Sequence, residues 1–134
     1  MAQKILRQVR TFHATPQELY NALMDSRKHA KFTGAPAKIS SKVGGKFTAF
    51  SGDLEGTNLA HTPNKKIVQS WRSSNWPEED FSRATFALTP AGHGNTKLTF
   101  TQSGIPEGRN EDIKQGWITF YWELLAELFS KNGA

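Results

Sequence analysis

Cysteine is missing altogether. That removes disulfides, Cys-based zinc sites and thiol nucleophiles together, and it suits a reducing compartment. Long apolar runs are missing too. No stretch approaches the roughly 18 residues needed to span a bilayer. The opening MAQKILRQVR has no apolar run after its charges, so it is not read as a secretory signal. The expected location is the cytoplasm, with no membrane partner.

The signatures of catalysis are also wanting. The four histidines, His13, His29, His61 and His93, share no HxH or HExxH spacing, which argues against a metal site. No serine stands in G-x-S-x-G. The glycines form neither a phosphate loop nor a dinucleotide fingerprint. Three carboxylate groups remain: Asp53 with Glu55, Glu78-Glu79-Asp80, and Glu111-Asp112. Asp53 and Glu55 lie two apart on an expected strand and so share a face. If that face lined a cavity they could act as an acid/base pair, but two unpaired buried carboxylates are costly, so a solvent-facing role is preferred. Arg72, Arg83 and Arg109 are candidates to clamp an anion, although alternation puts Arg83 outside. The expectation is a non-enzymatic protein with no catalytic residue, metal or cofactor.

What is present is one domain's worth of chain. The 134 residues hold no repeat, low-complexity tract or linker, so a single domain over 1–134 is expected. A chain this size buries about two-thirds of its unfolded surface, enough for a core without staples. The net charge is +5, but the basic residues are scattered from Arg7 and Arg10 through Lys65 and Lys66. A solvated surface accounts for them better than a nucleic-acid patch. Four Trp and nine Phe are a heavy aromatic load. They suit either a thick core or an aromatic-lined cavity.

The hydrophobic pattern predicts an α+β order. Residues 4–13 read as a first strand. Thr15-Pro16-Gln17-Glu18 forms a capping box with proline at the first helical position, opening a helix through Leu19, Tyr20, Leu23 and Met24. Asp25-Ser26 caps a second short helix to about Phe32, stopped by Gly34 and Pro36. Period-2 strands come next at 37–40, 47–51, 53–60, 66–72, 81–89 and 96–103, separated by turn chemistry. Gly52 and Gly56 are expected to flank a short strand and let the sheet bend. The last segment changes period. Ile113, Trp117, Phe120, Tyr121, Leu124 and Leu128 form one helical stripe, and Ile118, Trp122, Leu125 and Phe129 form a second. Self-association or packing on the short helices would explain the second stripe, packing being simpler. Gly116 inside this helix suggests close backbone approach.

Strand, two short helices, a run of strands and a long helix resemble the helix-grip, START-like, birch-pollen-allergen-like superfamily, in which a curved antiparallel sheet surrounds the C-terminal helix. More specific stretches occur in order: Phe32-Thr33-Gly34-Ala35-Pro36-Ala37, Val43-Gly44-Gly45-Lys46-Phe47, Gly52-Asp53-Leu54-Glu55-Gly56, Pro63 to Arg72, Trp76-Pro77-Glu78, Gly104-Ile105-Pro106, Gln115-Gly116-Trp117 and Tyr121-Trp122. Over about residues 12–128 they resemble the C-terminal domain of the activator of heat-shock protein 90 ATPase family. In that family the domain comes after a larger N-terminal domain that carries much of the chaperone binding, so a stand-alone form is expected here. The resemblance implies a co-chaperone-like interaction module with a heat-shock protein 90 family chaperone as partner. The superfamily habit implies an alternative, a carrier or sensor of a small apolar ligand between sheet and helix. Its wall would come from Phe50, Trp71, Phe86, Phe100, Trp117, Phe120, Tyr121 and Leu124. The same residues would equally make a filled core.

Overall fold

The structure, a computed structural model, describes residues 5–40, 42–76 and 81–130. The carboxylates Glu78, Glu79 and Asp80 lie outside that set. Strand β1 (Leu6–Phe12) leads into helix α1 (Pro16–Met24) through the capping box. The Glu18 N–H donates to the Thr15 hydroxyl at 3.2 Å, and the Thr15 N–H donates to the Glu18 carboxylate at 3.0 Å. Asp25 accepts from the Lys28 N–H at 3.0 Å and opens α2 (Ser26–Thr33). Gly34 ends α2 at φ 78°, a left-handed turn that glycine adopts without steric cost.

Strands β2 (Lys38–Ile39), β3 (Lys46–Ala49), β4 (Leu54–Thr62), β5 (Lys66–Ser73), β6 (Ser82–Pro90) and β7 (Thr96–Ser103) come next. They join β1 in one seven-stranded antiparallel sheet of order β1-β7-β6-β5-β4-β3-β2. The last helix runs as α3 (Asn110–Trp117), a π-helical turn (Ile118–Trp122) and α4 (Glu123–Ser130). This is the helix-grip arrangement, a curved sheet around a C-terminal helix with two short helices after the first strand.

Alternation selects the buried face. Ala84, Phe86 and Leu88 of β6 meet Leu98 and Phe100 of β7, with Phe86 directly opposite Phe100. Trp117, Tyr121, Trp122, Leu125 and Phe129 close the core from the helix side. Of the second helical stripe, Ile118 is half-buried and the rest lies within the molecule. Trp122, Leu125 and Phe129 are buried, and α4 packs on α2 and β1.

Four local expectations are corrected. The 47–51 strand ends at Ala49, and Phe50–Gly52 form a 3₁₀ turn in which Phe50 (φ 52°) and Ser51 (φ 57°) take left-handed backbone. Gly56 lies inside β4 rather than flanking it. A Cβ there would sit 1.8 Å from the Ser70 carbonyl oxygen, so close strand approach demands glycine. Gly116 has the opposite reason from the one expected, because a Cβ would meet nothing within 4 Å. Finally, Asp53 and Glu55 do not form a pair. Asp53 is exposed in the turn before β4, whereas Glu55 faces Arg72 at 3.6 Å.

Candidate functional site

The interior between sheet and helix is occupied by rings. Trp117 lies 4.4 Å from Phe100 and 4.5 Å from Tyr121 between centroids, and stacks on Trp122 at 5.3 Å. The enclosed space left among Leu23, His29, Gln69, Trp71, Phe86, Trp117 and Tyr121 is about 20 Å³. That is room for about one water molecule.

Buried amides hold the rings in place. The Trp117 indole N–H donates to the Gln102 carbonyl at 2.8 Å, and the Gln102 amide donates to the Ser82 hydroxyl at 2.8 Å. Ser82 in turn donates to the Trp71 carbonyl at 2.7 Å. The Trp122 indole donates to Gln8, whose amide reaches the Lys114 carbonyl at 3.2 Å. An indole N–H taken out of water without an acceptor costs about 1–3 kcal/mol, so each Gln offsets a penalty set by its Trp.

His29 and Tyr121 form a second buried pair, with Nε2 and the hydroxyl 2.8 Å apart. Burial holds the His29 imidazole down at about 4, so it is neutral at pH 7. Burial also raises the Tyr121 hydroxyl above its ordinary value, so it stays protonated. Two neutral groups in a wall of this kind position rings, and neither supplies charge.

Larger spaces open at the surface, one of them walled by the same rings. A cleft of about 270 Å³ opens between the helix and the strand β3–β4 end of the sheet. Phe50, Leu54, Trp71, Ile113, Trp117, Phe120 and Tyr121 give it apolar walls, Gly116 leaves it open, and Asp53, Ser73 and Asp112 complete its lining. Two irregular segments shape it. The left-handed turn at Phe50 and Ser51 sets the Phe50 ring 5.8 Å from Phe120 and 5.9 Å from Tyr121. The π turn, marked by the Glu123 N–H bonding the Ile118 carbonyl, inserts a residue into the helix and rotates the turns beyond it. Phe120, inside this turn, is 52% exposed at the cleft, whereas Trp117 is buried. Backbone irregularities of both kinds concentrate at functional sites.

Of the eight wall residues expected from sequence, five line this cleft: Phe50, Trp71, Trp117, Phe120 and Tyr121. Phe86 borders the small interior space instead, and Phe100 is wholly buried behind Trp117. Leu124, beyond the π turn, is half-buried and lines neither. The cleft residues outside that set of eight are Asp53, Leu54, Ser73, Asp112, Ile113 and Gly116. Glycine within a helical stripe was the readable signal, because a missing side chain on a covered face marks either contact or space.

The arginines do not converge. Arg72 donates to the Trp76 carbonyl at 2.8 Å and lies over the Phe81 ring, Arg83 is exposed, and Arg109 reaches the Asn75 carbonyl at 3.5 Å. Among the described residues no group of three or more His, Asp or Glu could hold a metal ion. No helix of the described residues is long and apolar enough to cross a membrane.

Comparison with known proteins finds relatives over most of the chain. The family model "Activator of Hsp90 ATPase homolog 1-like protein" matches residues 13–130. The human activator of 90 kDa heat shock protein ATPase homolog 1 is 34% identical over 119 residues, covering 89% of this chain and 35% of its own. The Dictyostelium discoideum activator homolog is 31% identical over 127 residues, covering 95% and 33%. The chain thus spans about a third of the length of the curated relatives it matches. An HSP90 activator from Plasmodium falciparum superposes with a TM-score of 0.89 at 28% identity, covering 94% of this chain and 96% of that one. The Aha1 dimer of Colwellia psychrerythraea shares the fold, with a TM-score of 0.79 at 21% identity and coverage of 94% and 96%. By its sequence from the end of strand β1 to the end of the last helix, the chain belongs to the Activator of Hsp90 ATPase homolog 1-like family.

Proposed function

We propose that this chain is a non-enzymatic interaction module that docks on a 90-kDa heat-shock chaperone and modulates its ATPase cycle. The observation that carries the reading is its correspondence, across nearly every described element, with a protein described as an HSP90 activator. The packing supports it. Among the described residues a cleft of about 270 Å³ opens at the surface with mostly apolar walls, a shape that an outside partner can fill. Calorimetric titration against the host's 90-kDa chaperone, together with its ATPase rate, tests the proposal. Saturable micromolar binding with an altered rate is the expected result, and absence of binding at high concentration overturns it.

The aromatic lining of the cleft favours a second reading, a sensor of a small apolar molecule. Its volume falls below the roughly 300–1,000 Å³ of pockets that enclose drug-sized ligands. A Trp117→Ala variant that takes up apolar probes as well as the parent would count against this reading.

A further inference from the structure

The cleft has an asymmetry of charge. Its walls are mostly apolar, and its two ionisable groups other than Tyr121 are the carboxylates Asp53 and Asp112. Among the described residues no lysine or arginine lines it, although the chain carries seventeen such residues and a net charge of +5. Neither carboxylate is joined to a cation in a described ion pair. Among the described residues the Asp53 carboxylate accepts a long contact from the Ser74 hydroxyl at 3.4 Å, while Asp112 sits in the first turn of α3. Both are exposed, so both are available to a visitor. Phe120 stands half out of the surface beside them. Exposed aromatic rings around a small concave floor are the usual anchor points of protein interfaces.

We propose that the cleft receives a segment of a partner protein in which an aromatic side chain is followed by a lysine or arginine. The ring enters the space over Gly116, between Phe50, Trp71 and Trp117. The cation rests between Asp53 and Asp112. The inference rests on the reading of the chain as a protein-docking module and specifies what that module recognises. The space suits a side chain: the cleft is smaller than pockets built for whole ligands, and Gly116 leaves its floor open. Charge complementarity supplies the selectivity, since an exposed ion pair adds modest affinity but discriminates against a neutral or anionic neighbour.

The test uses the intact chain and four probes: acetyl-Ala-Phe-Lys-Ala amide, its Phe-Gln and Ala-Lys counterparts, and 2-phenylethylammonium. Amide NMR shifts at Gly116 and the Trp117 indole report occupancy, and calorimetry gives affinity. The Phe-Lys peptide is expected to bind roughly threefold to tenfold more tightly than Phe-Gln, and Ala-Lys to lose binding. Raised salt or the double variant Asp53→Asn/Asp112→Asn should erase the Lys preference while leaving Phe-Gln binding in place. Gly116→Leu should abolish both, and Gly116→Ala, whose Cβ meets nothing, controls for folding by its melting curve. Equal affinity for Phe-Lys and Phe-Gln, or unaltered binding to the Gly116→Leu variant, overturns the proposal. So does 2-phenylethylammonium binding as tightly as the peptide, because the occupant is then a small amine. The chaperone titration separates the two readings. If the chaperone binds the Gly116→Leu variant as well as the parent, the cleft proposal falls and the docking module stands. If the peptides bind as described but the chaperone does not, the docking partner was wrong and the cleft chemistry stands.

Discussion

His29 shows how one side chain couples the core to solution conditions. Its imidazole is buried and held at about 4, against 6.5 for the same group in an unfolded chain. Between those values the unfolded chain binds the proton and the folded one does not. Stability therefore rises with pH across this window. The contribution is fully present above pH 6.5 and is lost as pH falls toward 4, by roughly 3 kcal/mol in all. Tyr121, its hydrogen-bond partner, stays neutral throughout and cannot offset the loss. Urea unfolding at a series of pH values should show this acid slope. A His29→Gln variant, which keeps a polar group facing Tyr121 without titrating, should flatten it. An unchanged slope would mean that other groups set the acid limb.

The amides of the core are a different kind of residue-scale feature. Gln102 accepts from Trp117 and donates to Ser82, and it is wholly buried. Gln102→Leu keeps the size but strands the Trp117 indole N–H, while the Ser82 hydroxyl keeps its bond to the Trp71 carbonyl. A loss of about 1–3 kcal/mol is expected in chemical denaturation, as one buried donor loses its partner. The position was legible in the sequence: Leu98 and Phe100 point inward, and the same alternation carries Gln102 inward with them. What the pattern could not supply was the partner. Trp117 is fifteen positions away and is brought to Gln102 only by the path of the chain from β7 to the helix.

At the scale of the element, strong local chemistry made some features readable. The capping box, the Asp25 cap and the Gly34 stop fall where Thr15-Pro16-Gln17-Glu18, Asp25-Ser26 and Gly34 placed them. β7 spans Thr96–Ser103, as its alternation indicates. The two segments that shape the cleft were opaque, each for a physical reason. In the last helix, a period of 3.6 applied from Ile113 to Phe129 put Phe120 and Leu124 on the stripe of Trp117. The inserted π residue breaks that period, and no residue type announces it. At Phe50 and Ser51 the left-handed backbone runs against the preference of both residues, so propensity predicted strand. Tertiary bonds hold the turn instead. The Ser51 N–H donates to the Pro36 carbonyl at 3.1 Å, and the Ser74 N–H to the Asp53 carbonyl at 2.7 Å. Strain of this kind costs about 1–3 kcal/mol at each residue. Ser51→Gly should therefore raise stability by about 1 kcal/mol, read as a rise of a few degrees in melting temperature. Weaker binding at the cleft should accompany it, because Phe50 is then less firmly positioned. A variant no more stable than the parent would show that the turn is relaxed.

For the whole molecule, the choice left open by the aromatic content was between a filled core and a cavity, and the same residues are used for both. Trp71, Trp117 and Tyr121 present one side to the packed interior and another to the cleft. Composition alone cannot separate these outcomes, because both call for the same rings. They differ by where the helix sits and how it turns. The arrangement also makes the four tryptophans a single reporter. Trp71 contacts Trp76 and Trp117, and Trp117 stacks on Trp122, so the loop after β5, the sheet and the helix meet in one cluster. All four are buried. Trp71 and Trp117 are the links of this cluster, so separating the helix from the sheet exposes both. If the chain is one folding unit, near-ultraviolet circular dichroism from the tryptophans and far-ultraviolet dichroism from the backbone should melt together, with a single midpoint in heat and in urea. Occupancy of the outer cleft should shift that midpoint upward without splitting the transition, by mass action on the folded state. An earlier loss of the tryptophan signal would mean that the helix leaves the sheet before the sheet unfolds. In that case the enclosed space of about 20 Å³ would understate the room available for a ligand.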